Sequence, residues 1–171
     1  RNLNVCLRMS RHPVYKELVD FPPDGVTYKI PKGVTTRGED GISTKIKQAG
    51  WRFLTSLSPP TMNVNVEGSD LIHSCHGMMV SNKMPWVVDV EHYASLANYN
   101  IKGLLRPAYN ASVIKTLSSP HCKRILAWTN AAKFSIENAF GKEIAEKTEV
   151  VYPAIRTVDF KKKESDKIRL L

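Results

Sequence analysis

Two segments, Ser69-Asp-Leu-Ile-His-Ser-Cys-His-Gly77 and Pro85-Trp-Val-Val-Asp-Val-Glu-His-Tyr93, decide how this chain folds. Each holds a short apolar run, Leu71-Ile72 and Trp86 to Val90, leading into histidine-bearing polar residues. Both runs are rich in β-branched or bulky side chains and are flanked by turn formers, which predicts two buried strands. In an open α/β sheet, ligands sit just beyond the carboxyl ends of parallel strands. If these strands are parallel neighbours, His73, His76, Glu91 and His92 gather at one sheet edge, and the chemistry is expected there.

Working outward, Asn4 to Met9 reads as a first strand. The loop after it, Ser10-Arg11-His12-Pro13, has no GxGxxG, so the dinucleotide fingerprint is missing. Tyr15 to Val19 suits a short helix before the breaker Pro22-Pro23-Asp24-Gly25, and Val26 to Ile30 alternates like a strand. A loop with Gly33, Gly38 and Gly41 follows, then a helix from Ser43 to about Leu57 that Pro59-Pro60 ends. Residues 61–68 read as irregular, and residues 95–109 as a lid or an acceptor-facing loop. Asn110 is expected to cap a helix carrying Val113, Ile114 and Leu117. Arg124 to Trp128 is a further strand, Thr129-Asn130 an N-cap, and Ala132, Ile136, Ala139 and Phe140 share one helical stripe. Gly141 suits the C-terminal cap, and Thr148 to Tyr152 is the next strand. Strand and helix alternate often enough to predict α/β, a Rossmann-like, mainly parallel sheet with helices on both faces.

The 171 residues suit one compact domain with a short appendage. No run approaches the roughly 20 apolar residues that span a bilayer. Cys6, Cys75 and Cys122 lack CxxC spacing, and an odd count without a secretion signal favours free thiols in a reducing cytosol. A formal charge of +9 with pI near 9.5 calls for an acidic partner: anionic lipid, nucleotide phosphate or nucleic acid. The absence of RNP, zinc-finger and helix-turn-helix patterns argues against nucleic acid.

At this point the chain resembles the N-terminal half of a GT-B glycosyltransferase of the large retaining group called family four. Asp70-Leu-Ile-His73-Ser-Cys-His76 is similar to that family's Asp-hydrophobic-hydrophobic-His-x-His strand end, and Pro85 to His92 to its Pro-x-Val-x-x-x-His strand. Lys123 to Asn130 resembles the strand before its last N-domain helix, and Val150 to Phe160 its crossover. Lys167-Ile-Arg-Leu-Leu171 is similar to the opening strand of the nucleotide-binding domain. The likeness covers residues 69–171 well and residues 1–68 loosely. Arg11-His12-Pro13 replaces the family's glycine-rich turn, and the Pro-to-His spacing is one residue longer, so Glu91 could hold the histidine's position. The family's Glu-x7-Glu donor motif belongs to the other domain and is not in this chain.

The resemblance implies residues 1–160 as an acceptor-side domain, with 161–171 as linker and first strand of a donor-binding domain. It implies transfer of a sugar from a nucleotide-sugar donor to a hydroxyl acceptor, a lipid or a glycan, with no activity from this chain alone and no cofactor. Catalytic candidates are Glu91 and His92. His73, His76, Arg11, His12 and Asn130 are the substrate-binding candidates; a solvated loop is the plain alternative for Arg11 and His12. Metal ligation by His73 and His76 lacks a specific spacing, and no metal is expected. Trp51, Trp128 and Phe140 read as core. A cytoplasmic location, with peripheral contact at the inner membrane face, fits the charge. The rival reading is a non-catalytic basic α/β module that binds phosphate or lipid headgroups.

Overall fold

The computed structural model describes residues 2–8, 14–31 and 57–153. The expected helix from Ser43, the Trp51 position, the Arg11-His12 loop and the 161–171 linker lie outside the described residues. Six strands form one sheet: β1 (Leu3–Arg8), β2 (Val26–Lys29), β4 (Leu71–Ser74), β6 (Trp86–Val90), β7 (Cys122–Ala127) and β8 (Thr148–Val150). Their order is β2-β1-β4-β6-β7-β8, and every pairing is parallel. The α/β prediction and the adjacency of the two decisive strands are therefore correct. A separate pair, β3 (Thr61–Met62) and β5 (Met79–Val80), lies within stretches that carry no readable period. Two residues are too few to show alternation.

From β1 the chain steps one way to β2, then returns past β1 to β4 and continues outward. The strand order thus reverses between β1 and β4. Parallel crossovers are right-handed, so the two directions of travel put helices on opposite faces. Helix α1 (Val14–Asp20) covers one face, where Leu7, Tyr15 and Cys75 pack with Tyr28 and Trp128. The other face holds the larger core of Cys6, Ile72, Val88, Ile125, Ile136 and their neighbours. Successive strand residues point to opposite faces, so adjacent Cys6 and Leu7 fall in different clusters.

The segment expected as a loop at 95–109 is largely helical. A 3-10 turn (Tyr93–Ala97) leads to α2 (Ile101–Leu104) and α3 (Pro107–Leu117). Pro107, not Asn110, opens α3, because its fixed φ and missing N–H suit the first helical position. Asn110 instead donates to the carbonyls of Leu104 (3.4 Å) and Ala139 (3.3 Å), tying α3 to its neighbours. Thr129 caps α4 (Asn130–Phe140) by accepting from the Ala132 N–H at 3.0 Å. Gly141, at φ 88°, ends α4 and leads into α5 (Lys142–Glu146). All three cysteines are free and buried, and burial pushes the Cys122 thiol up to about 12. No helix among the described residues is long and apolar enough to cross a membrane.

Candidate functional site

Strand β6 sorts its own residues by alternation. Trp86, Val88 and Val90 join the large apolar core, while Asp89 faces the α1 side and is almost fully buried. A carboxylate there needs donors, and three converge on it. The Tyr15 hydroxyl donates to Oδ1 at 2.5 Å, the His76 backbone N–H to Oδ1 at 3.0 Å, and His73 Nε2 lies 3.0 Å from Oδ2. An ionised carboxylate only accepts, which assigns the proton of that last bond to His73 Nε2. Burial, reinforced by the Asp89 charge, pushes the Tyr15 phenol up, so it stays a donor. Asp89 thereby fastens α1, β4 and the turn after β4 to β6.

That turn brings the next layer forward. His76 adopts the left-handed conformation (φ 58°), followed by Gly77 at φ 73°. Gly77 donates to the Asp89 carbonyl at 2.7 Å, and a Cβ here would meet the Ser95 carbonyl carbon at 2.4 Å. Only glycine lets the 76–78 turn and the 93–97 turn approach this closely. Across the gap, Asn98 and Tyr99 are also left-handed, at φ 50° and 59°. Uncommon backbone on both sides of one contact points to a site whose geometry the fold enforces.

The contact is a three-residue chain. The Tyr99 hydroxyl bonds Glu91 Oε1 and lies 3.2 Å from His76 Nε2, and Glu91 Oε1 is 3.8 Å from that nitrogen. One hydroxyl has one proton, which Tyr99 donates to the acceptor-only carboxylate, so Tyr99 accepts from His76 Nε2–H. His76 Nδ1 is then left buried without a partner. Burial and the Glu91 bond push the Tyr99 phenol up to about 12. Trp128 stands edge-on to the His76 ring, with centroids 6.2 Å apart. The result is a partly exposed carboxylate and imidazole over a buried His–Asp pair, suited to hydrogen-bonding hydroxyl groups.

Of the residues singled out from sequence, His73, His76 and Glu91 come together. His92 takes a different position: its Nδ1 accepts from the Ala94 N–H at 3.4 Å, and its ring packs on Tyr93 at 4.3 Å. Asn130 is exposed at the start of α4, with its amide 3.3 Å from the Tyr152 hydroxyl. Arg11 and His12 lie outside the described residues. Sequence reasoning missed Asp89 and Tyr15 as site residues. The available signal was a lone carboxylate inside Trp-Val-Val-Asp-Val, which a buried strand tolerates only with partners.

His73, Cys75 and Asp89 place nitrogen, sulfur and oxygen donors within 4.8 Å of one another. These are ligand types that zinc accepts. Asp89, however, already accepts from Tyr15, His73 and the His76 N–H, bonds that an ion here would displace.

Fold and site together define a Rossmann-like α/β domain with a polar cluster at the carboxyl ends of adjacent parallel strands. No family model, no curated protein and no solved structure matches the chain.

Proposed function

We propose that this chain is the N-terminal, acceptor-side domain of a retaining GT-B glycosyltransferase, moving a sugar from a nucleotide-sugar donor to a hydroxyl acceptor when joined to a donor-binding domain. The observation that supports it most is the Glu91–Tyr99–His76 chain at the carboxyl ends of β4 and β6. In such chemistry, closure against the facing domain excludes water, and fixed charges stabilise an oxocarbenium-like centre and the departing phosphate. Glu91, held by Tyr99, supplies a carboxylate that needs no reorganisation to meet a sugar hydroxyl or a developing positive charge. His76 supplies a second polar edge, and the His73–Asp89 pair holds the layer beneath it. His92 remains the second catalytic candidate on the strength of the motif alone.

Peripheral membrane contact belongs to the same reading. Leu105 (78% exposed), Phe134 (63%) and Ile101 (50%) border one surface groove and are interspersed in sequence with Lys102, Arg106 and Lys133. Apolar anchors with adjacent cations match an anionic lipid surface. Salt-reversible co-sedimentation with anionic vesicles is the expected result, and equal binding to neutral vesicles would remove this part.

The decisive experiment is transfer by the full-length enzyme. Glu91→Gln is expected to lower kcat by about 10²–10³ with the melting temperature unchanged, the usual effect of losing a preorganised polar contact at a charged centre. Wild-type turnover in that variant would strike Glu91 from the site. No sugar transfer by the wild-type full-length protein would favour the rival reading, a basic phosphate- or headgroup-binding module.

A further inference from the structure

We propose that Arg8 anchors an oxyanion site at the carboxyl ends of β1 and β4 that receives a phosphoryl group of the ligand. Arg8 is the last residue of β1, paired in register with Ser74, the last of β4, and is only 6% exposed. These two strands flank the point where the strand order reverses, the crevice in which open α/β sheets bind ligands.

The guanidinium is poorly compensated. Nη1 donates to Met78 Sδ at 2.9 Å and Nη2 to Met62 Sδ at 2.7 Å, both uncharged, weak acceptors. The ion pairs among the described residues are His73–Asp89, His76–Glu91 and Arg124–Glu149, none of which includes Arg8. Asp89, a buried carboxylate on the other face of the sheet, is already committed to Tyr15, His73 and His76. Burial disfavours the charged form of Arg8, and only a negative charge on the nearby Cys75 sulfur would work the other way. A guanidinium nevertheless stays protonated in proteins. Taking a cation out of water is unfavourable unless an anion meets it.

A buried arginine has a fork of N–H groups that matches two oxygens of a phosphate at once. Thioethers are flexible and polarisable, so Met62 and Met78 can swing aside when stronger acceptors arrive. Met62 lies on β3 and Met78 directly precedes β5, so the small two-stranded sheet forms the cover of this site. The proposal deepens the transferase reading by naming one chemical group of its ligand, but it is tested without transfer.

The test is pyrophosphate binding to wild type, Arg8→Met and Arg8→Lys, followed by melting temperature and calorimetry against sodium chloride of equal ionic strength. Wild type is expected to gain stability beyond the salt control, and Arg8→Met to lose that gain. Arg8→Lys, which keeps the charge but not the fork, is expected to need roughly tenfold more pyrophosphate. A wild-type shift no larger than that of salt, or an equal shift in Arg8→Met, overturns the proposal. If Arg8→Met does not fold, Arg8→Lys decides, and unchanged affinity there overturns it. Stronger stabilisation by a nucleoside diphosphate than by glycerol 3-phosphate assigns the phosphoryl group to a donor, and the reverse order to a phosphorylated acceptor. The Glu91→Gln assay reads transfer alone, so either idea can fail without the other.

Discussion

The two faces of β6 are held by different means. On one, Trp86, Val88 and Val90 pack into a continuous apolar core with Ile125, Ile136 and Ile144. On the other, Asp89 gathers Tyr15, His73 and the His76 N–H around one carboxylate. Apolar packing is non-directional and tolerates adjustment, whereas the carboxylate fixes distances and angles. The face that holds His76 and Glu91 in one geometry is the one built from directed bonds. It is also the face with the smaller apolar cluster, so it depends more on those bonds.

The contrast makes its largest prediction at Asp89. Asp89→Ala leaves three donors without their acceptor and should cost about 3–5 kcal/mol in urea unfolding, the range for breaking a buried charged network. A loss below about 1 kcal/mol would mean that the apolar cluster alone holds this face. Ile125→Ala on the opposite face should cost about 2–5 kcal/mol through lost burial and a cavity. Its loss should not vary with pH. A pH-dependent loss in Ile125→Ala would show that the two faces are not separable.

The smallest effect sharpens the comparison. Tyr15→Phe removes one hydrogen bond to a buried carboxylate and should cost about 1–3 kcal/mol near neutral pH. Because the folded phenol is raised above its ordinary value near 10, its contribution is complete below about pH 10. It is lost as pH rises through the folded value, since the unfolded chain ionises first. Wild-type stability should therefore fall faster than that of Tyr15→Phe above about pH 10, by up to about 1.4 kcal/mol per pH unit. Parallel pH profiles for the two proteins would show that Tyr15 is not the donor on which Asp89 depends.

Sequence by itself determined the parallel α/β plan, the strands at Leu71 and Trp86, the Thr129 cap and the stripe of Ala132, Ile136 and Phe140. Each is a local pattern: apolar runs between turn formers, a cap before a 3.6-residue period. It also brought His73, His76 and Glu91 to one edge, because parallel neighbours end on the same side. The tertiary structure alone decided their partners. Tyr15 meets Asp89 across 74 positions of chain, and no local period encodes that separation. The left-handed turns at His76 and Tyr99 fold the imidazole and phenol toward each other, which non-glycine residues do only under tertiary constraint. His92 follows Glu91 directly in sequence, yet alternation and the turn it caps give it a different task. The position of Arg8 was likewise undecidable from its own strand: the charge is buried because β3 and β5, too short to read, close over it with Met62 and Met78.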